Sequence, residues 1–380
     1  MDSESRVQPE TATAESSTTM KLYAAGLNAH QQLFYNHGSD DIRSFSPMRV
    51  AADPETANSI RVFFTGWSTT ILLLGNGLIG LGNQSISHGI AETLHNPFGD
   101  HNGLLGCLDT AGEVHLITEN GQLEPVHTGE GSPSIAHLAL AGNGKVAISF
   151  KQAPNGRLCH ILQFDSLADF LAWFRDPSTV KLEAEKQHFM MQGRPKQLLA
   201  GTGTFVVLME DGEVYSWGDP RYRSLGRSIA CGDAAPAERP ALVDALGGVK
   251  IEKIAVGGWM NAALSEDRAL YIWGTGTPGT DRTIKPLRDA DAGEVVLVDI
   301  ADSGESLDII DVGVGDNHIA VVTEDKQLYV TSDNANGQLG LDSDNHFIDK
   351  WTKVSSLEDV QSVVCGPKAT FALTGNAEKP

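Results

Sequence analysis

The stretch LMEDGEVY, from Leu208 to Tyr215, is one of seven copies of a single pattern in this chain. The pattern is an apolar anchor, three turn-forming residues, in most copies a glycine, one variable residue, and an apolar or aromatic step. The other copies are LLGNGLIG (73–80), LDTAGEVH (108–115), LAGNGKVA (140–147), LSEDRALY (264–271), VTEDKQLY (322–329) and LTGN (373–376). Tight turns of this composition connect antiparallel strands, so each copy predicts a β-hairpin.

The glycine of the pattern stands where a turn favours positive φ, a conformation that a side chain penalises. The glycines predicted to do this are Gly77, Gly112, Gly144 and Gly212. Arg268 and Lys326 occupy the same position in two copies, so mild strain or another turn type is predicted there.

The seventh copy stops at the end of the chain, and its missing second half, Lys21 to Tyr23, stands near the beginning. The anchors are separated by 35, 32, 68, 56, 58 and 51 residues, a period typical of repeat arrays and propellers. We therefore predict an all-β fold, a seven-bladed β-propeller closed by N- and C-terminal strands in one blade. Residues 22–33 should complete the blade that contains 363–374. The first blades are short for four strands, so a six-bladed ring is the alternative.

One propeller of about 50 residues per blade accounts for most of the 380 residues, so we predict a single domain over residues 20–375. Residues 1–19 are rich in Ser, Thr and Glu and have no apolar core, which predicts a disordered tail and not a signal peptide. Residues 376–380 are predicted to be a second tail.

A helical insertion near 166–192 interrupts the strand pattern. Ser166 and Asp169 fit a capping box, and Leu167, Phe170 and Phe174 recur at helical spacing before Pro177. Residues 180–192 are predicted to continue as a second, more polar helix. Packing against its own propeller is the simpler interpretation, and a binding role stays open.

Composition excludes several functions. The net charge of −21 and pI of about 4.9 argue against direct nucleic-acid binding. No apolar run reaches ~18 residues, so no membrane span is predicted and no membrane partner is expected. The four cysteines lack CxxC spacing, which favours reduced thiols and a cytoplasmic or nuclear location. We expect a monomer.

The motifs that could carry chemistry are weak. Residues 75–80 fit GxGxxG, with Asp100 beyond them, but the same residues fit the hairpin pattern and make a poor helix start. His95, Asp100 and His101 lack the spacing of a metal site. We expect no catalytic residue, no cofactor, no metal and no enzymatic activity.

The residues after the hairpins resemble a known family. Tyr215–Gly218 and Tyr271–Gly274 read Tyr-x-Trp-Gly, and 333–340 read DNANGQLG. Together these resemble the signature of the regulator of chromosome condensation repeat, and 26–33 (GLNAHQQL) resemble its second half. The resemblance covers 198–375 and 21–33, is weaker over 60–190, and is nearest to the small single-propeller members, such as the fungal α-tubulin suppressor type and the animal one-domain forms.

The resemblance implies that turns beginning with a glycine seven residues before the anchor line one rim of the ring. In the family's nucleotide-exchange member, acidic and His side chains at these turns contact a small GTPase. The matching candidate partner-binding residues here are Trp67, Ser68, Thr202, Trp259, Asp316, Asn317 and Lys368. Only Asp316 is acidic, and no inserted wedge between strands is recognisable. His318 stands where the family has a structural His that bonds within its blade.

These features favour a non-enzymatic protein-binding propeller that acts as an adaptor or regulatory scaffold. The resemblance links small members to microtubule, chromatin or ubiquitin machinery. The alternatives are a guanine-nucleotide exchange factor for a small GTPase and an enzyme that uses the ring or its helical insertion as a scaffold.

Overall fold

A computed structural model describes residues 20–48, 60–75, 77–88, 93–128, 133–151, 158–178, 187–229, 235–276, 278–279, 282–291, 293–302 and 304–375. The two predicted tails lie outside these ranges. No helix within them is long and apolar enough to cross a membrane.

Seven four-stranded antiparallel sheets form the blades of a propeller. Blade 1 consists of β3 Arg61–Thr65, β4 Thr69–Leu74, β5 Gly77–Gly82 and β6 Ser87–His88. Blade 2 consists of β7 Leu94–Asp100, β8 Gly103–Asp109, β9 Val114–Ile117 and β10 Leu123–Pro125. Blade 3 consists of β11 Ile135–Leu140, β12 Val146–Phe150, β13 Leu158–Phe164 and β14 His188–Gln192. Blade 4 consists of β15 Pro195–Ala200, β16 Thr204–Met209, β17 Val214–Gly218 and β18 Ala241–Leu242.

Blade 5 consists of β19 Ile251–Gly257, β20 Met260–Ser265, β21 Leu270–Gly274 and β22 Val296–Val298. Blade 6 consists of β25 Ile309–Val314, β26 His318–Thr323, β27 Leu328–Asp333 and β28 Phe347–Lys353. Between them lies a two-stranded ribbon that the sequence did not predict, β23 Ala301–Asp302 and β24 Glu305–Ser306. Blade 7 is β29 Val360–Cys365, β30 Ala369–Thr374, β1 Lys21–Leu27 and β2 Asp41–Pro47. In the described ranges, the α-helices are α1 Leu167–Arg175 and α2 Lys285–Asp289.

The predicted closure of the ring is confirmed. Blade 7 has the order β2-β1-β30-β29, so the N-terminal strand lies inside the C-terminal sheet. Its register runs from Lys21 opposite Thr374 to Gly26 opposite Ala369. Seven blades exclude the six-bladed alternative, and the early blades fit because their outer strands are short, two residues in β6 and three in β10.

The core is divided among the contacts between neighbouring blades. The second strands β4, β16, β20 and β26 are buried along their whole length, because a neighbouring blade covers each face. In the described part of the chain, seven apolar clusters each join two adjacent blades and together complete the circle. A single blade could not bury these faces alone.

The glycine that stands seven residues before five of the seven anchors has a packing reason. A Cβ atom on Gly257 would lie 2.4 Å from the carbonyl oxygens of Val314 and Gly315 in the next blade. One on Gly315 would lie 2.6 Å from the carbonyl oxygen of Gly366. The inner strands converge where they turn, so only glycine lets neighbouring backbones approach this closely.

Two hairpin details differ from the prediction. The turn of residues 140–147 joins β11 to β12, the first and second strands of blade 3, whereas the other copies join second to third strands. This displacement explains the uneven anchor spacings of 32 and 68 residues. In the first copy, positive φ falls on Gly75, while Gly77 begins β5 opposite Leu74, so the turn is tighter than predicted.

The remaining turns behave as predicted, since the turn residues of the other copies adopt positive φ. These residues are Gly112, Gly144, Gly212, Arg268 and Lys326. Arg268 and Lys326, with φ of 67° and 62°, adopt it despite their side chains.

The helical insertion is confirmed in its first half only. Ser166 caps α1 by accepting a hydrogen bond from the Asp169 amide, and Phe170 and Trp173 pack on Phe164 with ring centroids 5.5 and 5.3 Å away. The predicted second helix is wrong over 188–192, which form β14, the outer strand of blade 3. Pairing with β13 outweighed the helical pattern of these residues. The rest of the predicted second helix, residues 179–186, lies outside the described ranges.

Candidate functional site

The turns between first and second strands of all seven blades gather at one end of the central channel. They enclose an open cavity of about 460 Å³, which we call the channel mouth. Backbone hydrogen bonds join adjacent blades there, from the Gly142 amide to the Gly201 carbonyl (3.0 Å) and from the Thr202 amide to the Gly258 carbonyl (2.8 Å). The mouth is therefore a rigid frame for the side chains at its edge.

Trp67, His101, Asp316 and Lys368 meet at this edge, and we call them the Trp67 cluster. The Trp67 side chain is 45% exposed, yet its Nε1 donates a hydrogen bond to Asp316 Oδ2 over 3.1 Å. Lys368 Nζ lies 5.9 Å from the indole centroid, within cation–π range, and the His101 ring is also 5.9 Å away. Gln32 fixes the backbone by donating to the Trp67 carbonyl over 2.8 Å.

Asp316 is partly withdrawn from water. Burial raises the pKa of its carboxyl group, while Lys368, the Trp67 hydrogen bond and His101 act in the opposite direction. The carboxyl group of Asp316 is therefore held between the Lys368 charge and the Trp67 hydrogen bond.

Lys368 is also held in place by an ion pair with Asp333. Its Nζ lies 3.5 Å from Oδ2 of Asp333, a buried carboxylate that also pairs with Arg282 Nη1 at 2.8 Å. Gln338 donates to the same Oδ2 over 3.0 Å. A buried charge is tolerated only when it is paired and hydrogen-bonded, as it is here. The ammonium group is thus anchored beside the indole.

The structure separates the other candidate residues. Thr202 and Trp259 line the same mouth but are not in the Trp67 cluster. Trp259 is half-buried, and its ring packs on Tyr222 with centroids 4.6 Å apart. Ser68 is half-buried, and Asn317 is buried, with 4% of its surface exposed. Trp67 is therefore the exposed aromatic among the candidates.

His318 has a structural role that differs from the expectation, because it bonds between blades and not within one. Its Nε2 lies 2.9 Å from Oγ1 of Thr370 in blade 7, and that hydroxyl donates to the Gln338 carbonyl. The threonine therefore accepts from Nε2–H, and the buried Nδ1 has no hydrogen-bond partner among the residues that the structure describes. Burial lowers the pKa of His318 to about 4, so the ring is neutral at pH 7.

The structure does not assemble a site from the motifs that were judged weak from sequence. Residues 75–80 belong to the hairpin of β4 and β5, with no helix start. His95 and Asp100 lie at opposite ends of β7. Among the described residues, one group of three possible metal ligands converges, Asp109, Glu113 and His115, in a hairpin turn. There Asp109 already accepts the Glu113 amide and pairs with His115.

Sequence reasoning missed three residues at the mouth. His101 lies in the β7–β8 turn, which lacks the recognisable glycine pattern and so was not matched to the other rim turns. Gln32 and Tyr222 reach the mouth from loops after the third strands of blades 7 and 4. The QQL match around Gln32 gave the only available signal.

Comparison with known proteins agrees with this architecture. Residues 211–264 and 309–338 match the regulator of chromosome condensation (RCC1) repeat. The chain is 28% identical over 220 residues to mouse RCC1 domain-containing protein 1, covering 49% of this chain and 57% of that protein. It is 29% identical over 180 residues to human E3 ubiquitin-protein ligase HERC2, covering 46% of this chain and 3% of that protein. The matches thus span less than two thirds of either relative.

Solved structures show the same fold at low sequence identity. Yeast RCC1 (Prp20) in its complex with Kap60 superposes with a TM-score of 0.67 at 14% identity, covering 100% of this chain and 97% of that one. Prp20p from Saccharomyces cerevisiae, studied for its binding to Gsp1p and histones, gives 0.65 at 14% identity, covering 96% and 93%. With its matched repeats and its seven-bladed ring, the chain is an RCC1-like single-propeller protein.

Proposed function

We propose that this propeller is a non-enzymatic protein-binding module whose partner docks on the channel mouth, with Trp67 as the anchor. The observation that supports this is an indole that is 45% exposed and nevertheless fixed by Asp316 at 3.1 Å. Large aromatic side chains dominate the binding energy of many protein interfaces. Holding one in place before binding lowers the entropy cost of association.

The surroundings of Trp67 suit a protein surface. Lys368 and Asp316 offer opposite charges beside the ring, and His101 adds a further polar edge. A central aromatic anchor with a polar border is the usual arrangement of a protein interface.

The relatives support an adaptor role in general terms. Yeast RCC1 (Prp20) forms a complex with Kap60, and Prp20p has binding properties toward Gsp1p and histones. Other matching regions belong to a ubiquitin ligase and to the mouse serine/threonine-protein kinase Nek9. For this chain we propose a protein partner in the cytoplasm or nucleus, linked to microtubule, chromatin or ubiquitin machinery, and bound by a monomeric ring.

The test is affinity purification with quantitative mass spectrometry of the full chain, its Trp67→Ala variant and a matched control. Tyr35→Ala is the control, because Tyr35 is an aromatic residue with 58% exposure that does not line the mouth. The proposal expects partners that Trp67→Ala loses and Tyr35→Ala retains, with both variants shown to be folded by circular dichroism. Equal recovery by all three proteins would place the interface elsewhere.

A guanine-nucleotide exchange factor is the second candidate, supported by the acidic Asp316 at a mouth turn. The commitment of Asp316 to Trp67 argues against it, because a carboxylate bound to the indole is less free to engage a GTPase. Nucleotide-release rates for a panel of small GTPases decide between the two. Acceleration that Asp316→Ala abolishes would favour exchange, and unchanged rates beside a recovered partner would favour the adaptor.

A further inference from the structure

Two histidines face each other on the outer edge of blade 3, away from the channel mouth. His160 lies on β13 and His188 on the outer strand β14. Nδ1 of His160 is 2.7 Å from Nε2 of His188, and the ring centroids are 5.0 Å apart at an interplanar angle of 33°. Both rings are half-buried, so water reaches them.

The strand register explains why the two rings meet. His160 is opposite Met190 and His188 is opposite Leu162, so the two histidines are diagonal neighbours on one side of the sheet. Met190, on the same side, is 68% exposed. The other side of these strands, with Cys159, Ile161 and Phe189, packs into the core and fixes the backbone beneath the histidines.

The chemistry of the pair favours a ligand. One of the two facing nitrogens must carry a proton to hydrogen-bond with the other, so at most one proton lies between them. A metal cation could replace that proton between the two rings. A neutral imidazole is the form that ligates metals.

The spacing also fits. Two imidazoles bound to one metal at about 2.0 Å, with an angle of about 90–110° between them, have centroids about 4.5–5.2 Å apart. The observed separation of 5.0 Å lies in that range. Tilting of the two rings, without movement of the strands, would turn both nitrogens toward a common ion.

We propose that His160 and His188 bind one divalent late transition-metal ion, with water molecules completing its coordination. Imidazole ligands suit Cu²⁺, Ni²⁺ and Zn²⁺, and the general order of affinities makes Cu²⁺ the tightest of these. The bound ion joins β14 to β13 and so stabilises the edge of the blade that carries the helical insertion.

The test uses the full chain without an affinity tag, stripped with chelator and titrated with Cu²⁺, Ni²⁺ and Zn²⁺ separately. Calorimetry is expected to give one site of highest affinity for Cu²⁺, and the melting temperature is expected to rise with metal. The electron paramagnetic resonance spectrum of the first equivalent of Cu²⁺ should show coupling to two imidazole nitrogens. His160→Gln and His188→Gln should each weaken binding about tenfold or more.

Two variants serve as controls. His127→Gln changes an exposed histidine, and His115→Gln disrupts the cluster with Asp109 and Glu113. Both should bind Cu²⁺ as the unaltered chain does. A spectrum without two-imidazole coupling in the unaltered protein, or binding that His115→Gln removes while His160→Gln keeps it, would overturn the proposal. The spectrum needs no variant, so it decides the matter even if a substitution prevents folding.

Discussion

The Trp67 indole donates to Asp316 across 3.1 Å, which links blade 1 directly to blade 6. Blade 7 lies between them, and its Lys368 sits against the same indole. Gln32, also in blade 7, donates to the Trp67 carbonyl. The candidate interface is therefore built where the two ends of the chain close the ring, so closure and binding depend on the same residues.

Asp316→Asn should stabilise the protein at neutral pH while keeping an acceptor for Trp67. The folded-state pKa of Asp316 is raised above its unfolded value, chiefly by burial. The ionised carboxylate thus costs stability above the folded pKa, and this cost disappears as pH falls below the unfolded pKa. Urea unfolding of both proteins from pH 7 to pH 4 should show an advantage of the variant that shrinks on acidification.

The exposed Asp308 is the control for this prediction, and Asp308→Asn should show no such pH-dependent advantage. An Asp316→Asn variant that is less stable than the unaltered chain at pH 7 would mean that pairing with Lys368 outweighs burial.

His318 should make the protein acid-sensitive. Its folded pKa of about 4 lies below the unfolded value of 6.5, so unfolded chains bind more protons between these two values. Stability attributable to this residue is complete above pH 6.5 and is lost toward pH 4, by about 3 kcal/mol.

His318→Gln should flatten this part of the stability curve, whatever its own cost at pH 7. The measurement is the free energy of unfolding in urea at pH 7, 5.5 and 4 for both proteins. Parallel curves would rule out a buried neutral histidine at this position.

Side chains of the inner strands join adjacent blades, and Asp311 is the clearest case. Its Oδ2 accepts the Val363 amide of blade 7 over 2.9 Å, and its other oxygen pairs with Lys253 of blade 5. Gln197 accepts the Ile254 amide and Asn96 accepts the Leu138 amide in the same manner.

Asp311→Ala should therefore cost about 1–3 kcal/mol, because it leaves the Val363 amide without its acceptor. Chemical denaturation measures this cost. Asp308→Ala, at an exposed position nearby, should stay within about 0.5 kcal/mol of the unaltered chain. Equal effects of the two variants would refute the joining role.

Deletion of residues 20–33 should unfold the ring cooperatively. This segment includes β1, the strand between β30 and β2, so its removal breaks blade 7 and the apolar cluster shared with blade 1. Circular dichroism should show a lost or strongly lowered melting transition. A truncated protein that melts at the original temperature would contradict closure through β1.

The ring was predictable because each hairpin is encoded locally and the split seventh repeat encodes closure. Even the partial match at 26–33 forms the loop seen at 333–340. Asn28 accepts the Leu33 amide and Gln32 accepts the His30 amide, just as Asn334 accepts the Leu339 amide and Gln338 accepts the Asn336 amide.

Other features were beyond the sequence because they depend on distant contacts. Residues 188–192 form a strand by pairing with β13, whatever their local pattern. The rim positions followed from the repeat, but which of them meet depends on how the blades are arranged. Trp67 and Asp316 are 249 residues apart in the chain.

Hydrogen exchange of the full chain with and without its recovered protein partner tests the central claim most directly. Binding at the channel mouth predicts slower exchange in the turns at 66–68, 315–317 and 366–368. The exchange rates of the opposite-face turns at 210–213, 266–269 and 324–327 should not change. Protection confined to the opposite face, with the Trp67 turn unchanged, would contradict the proposed interface.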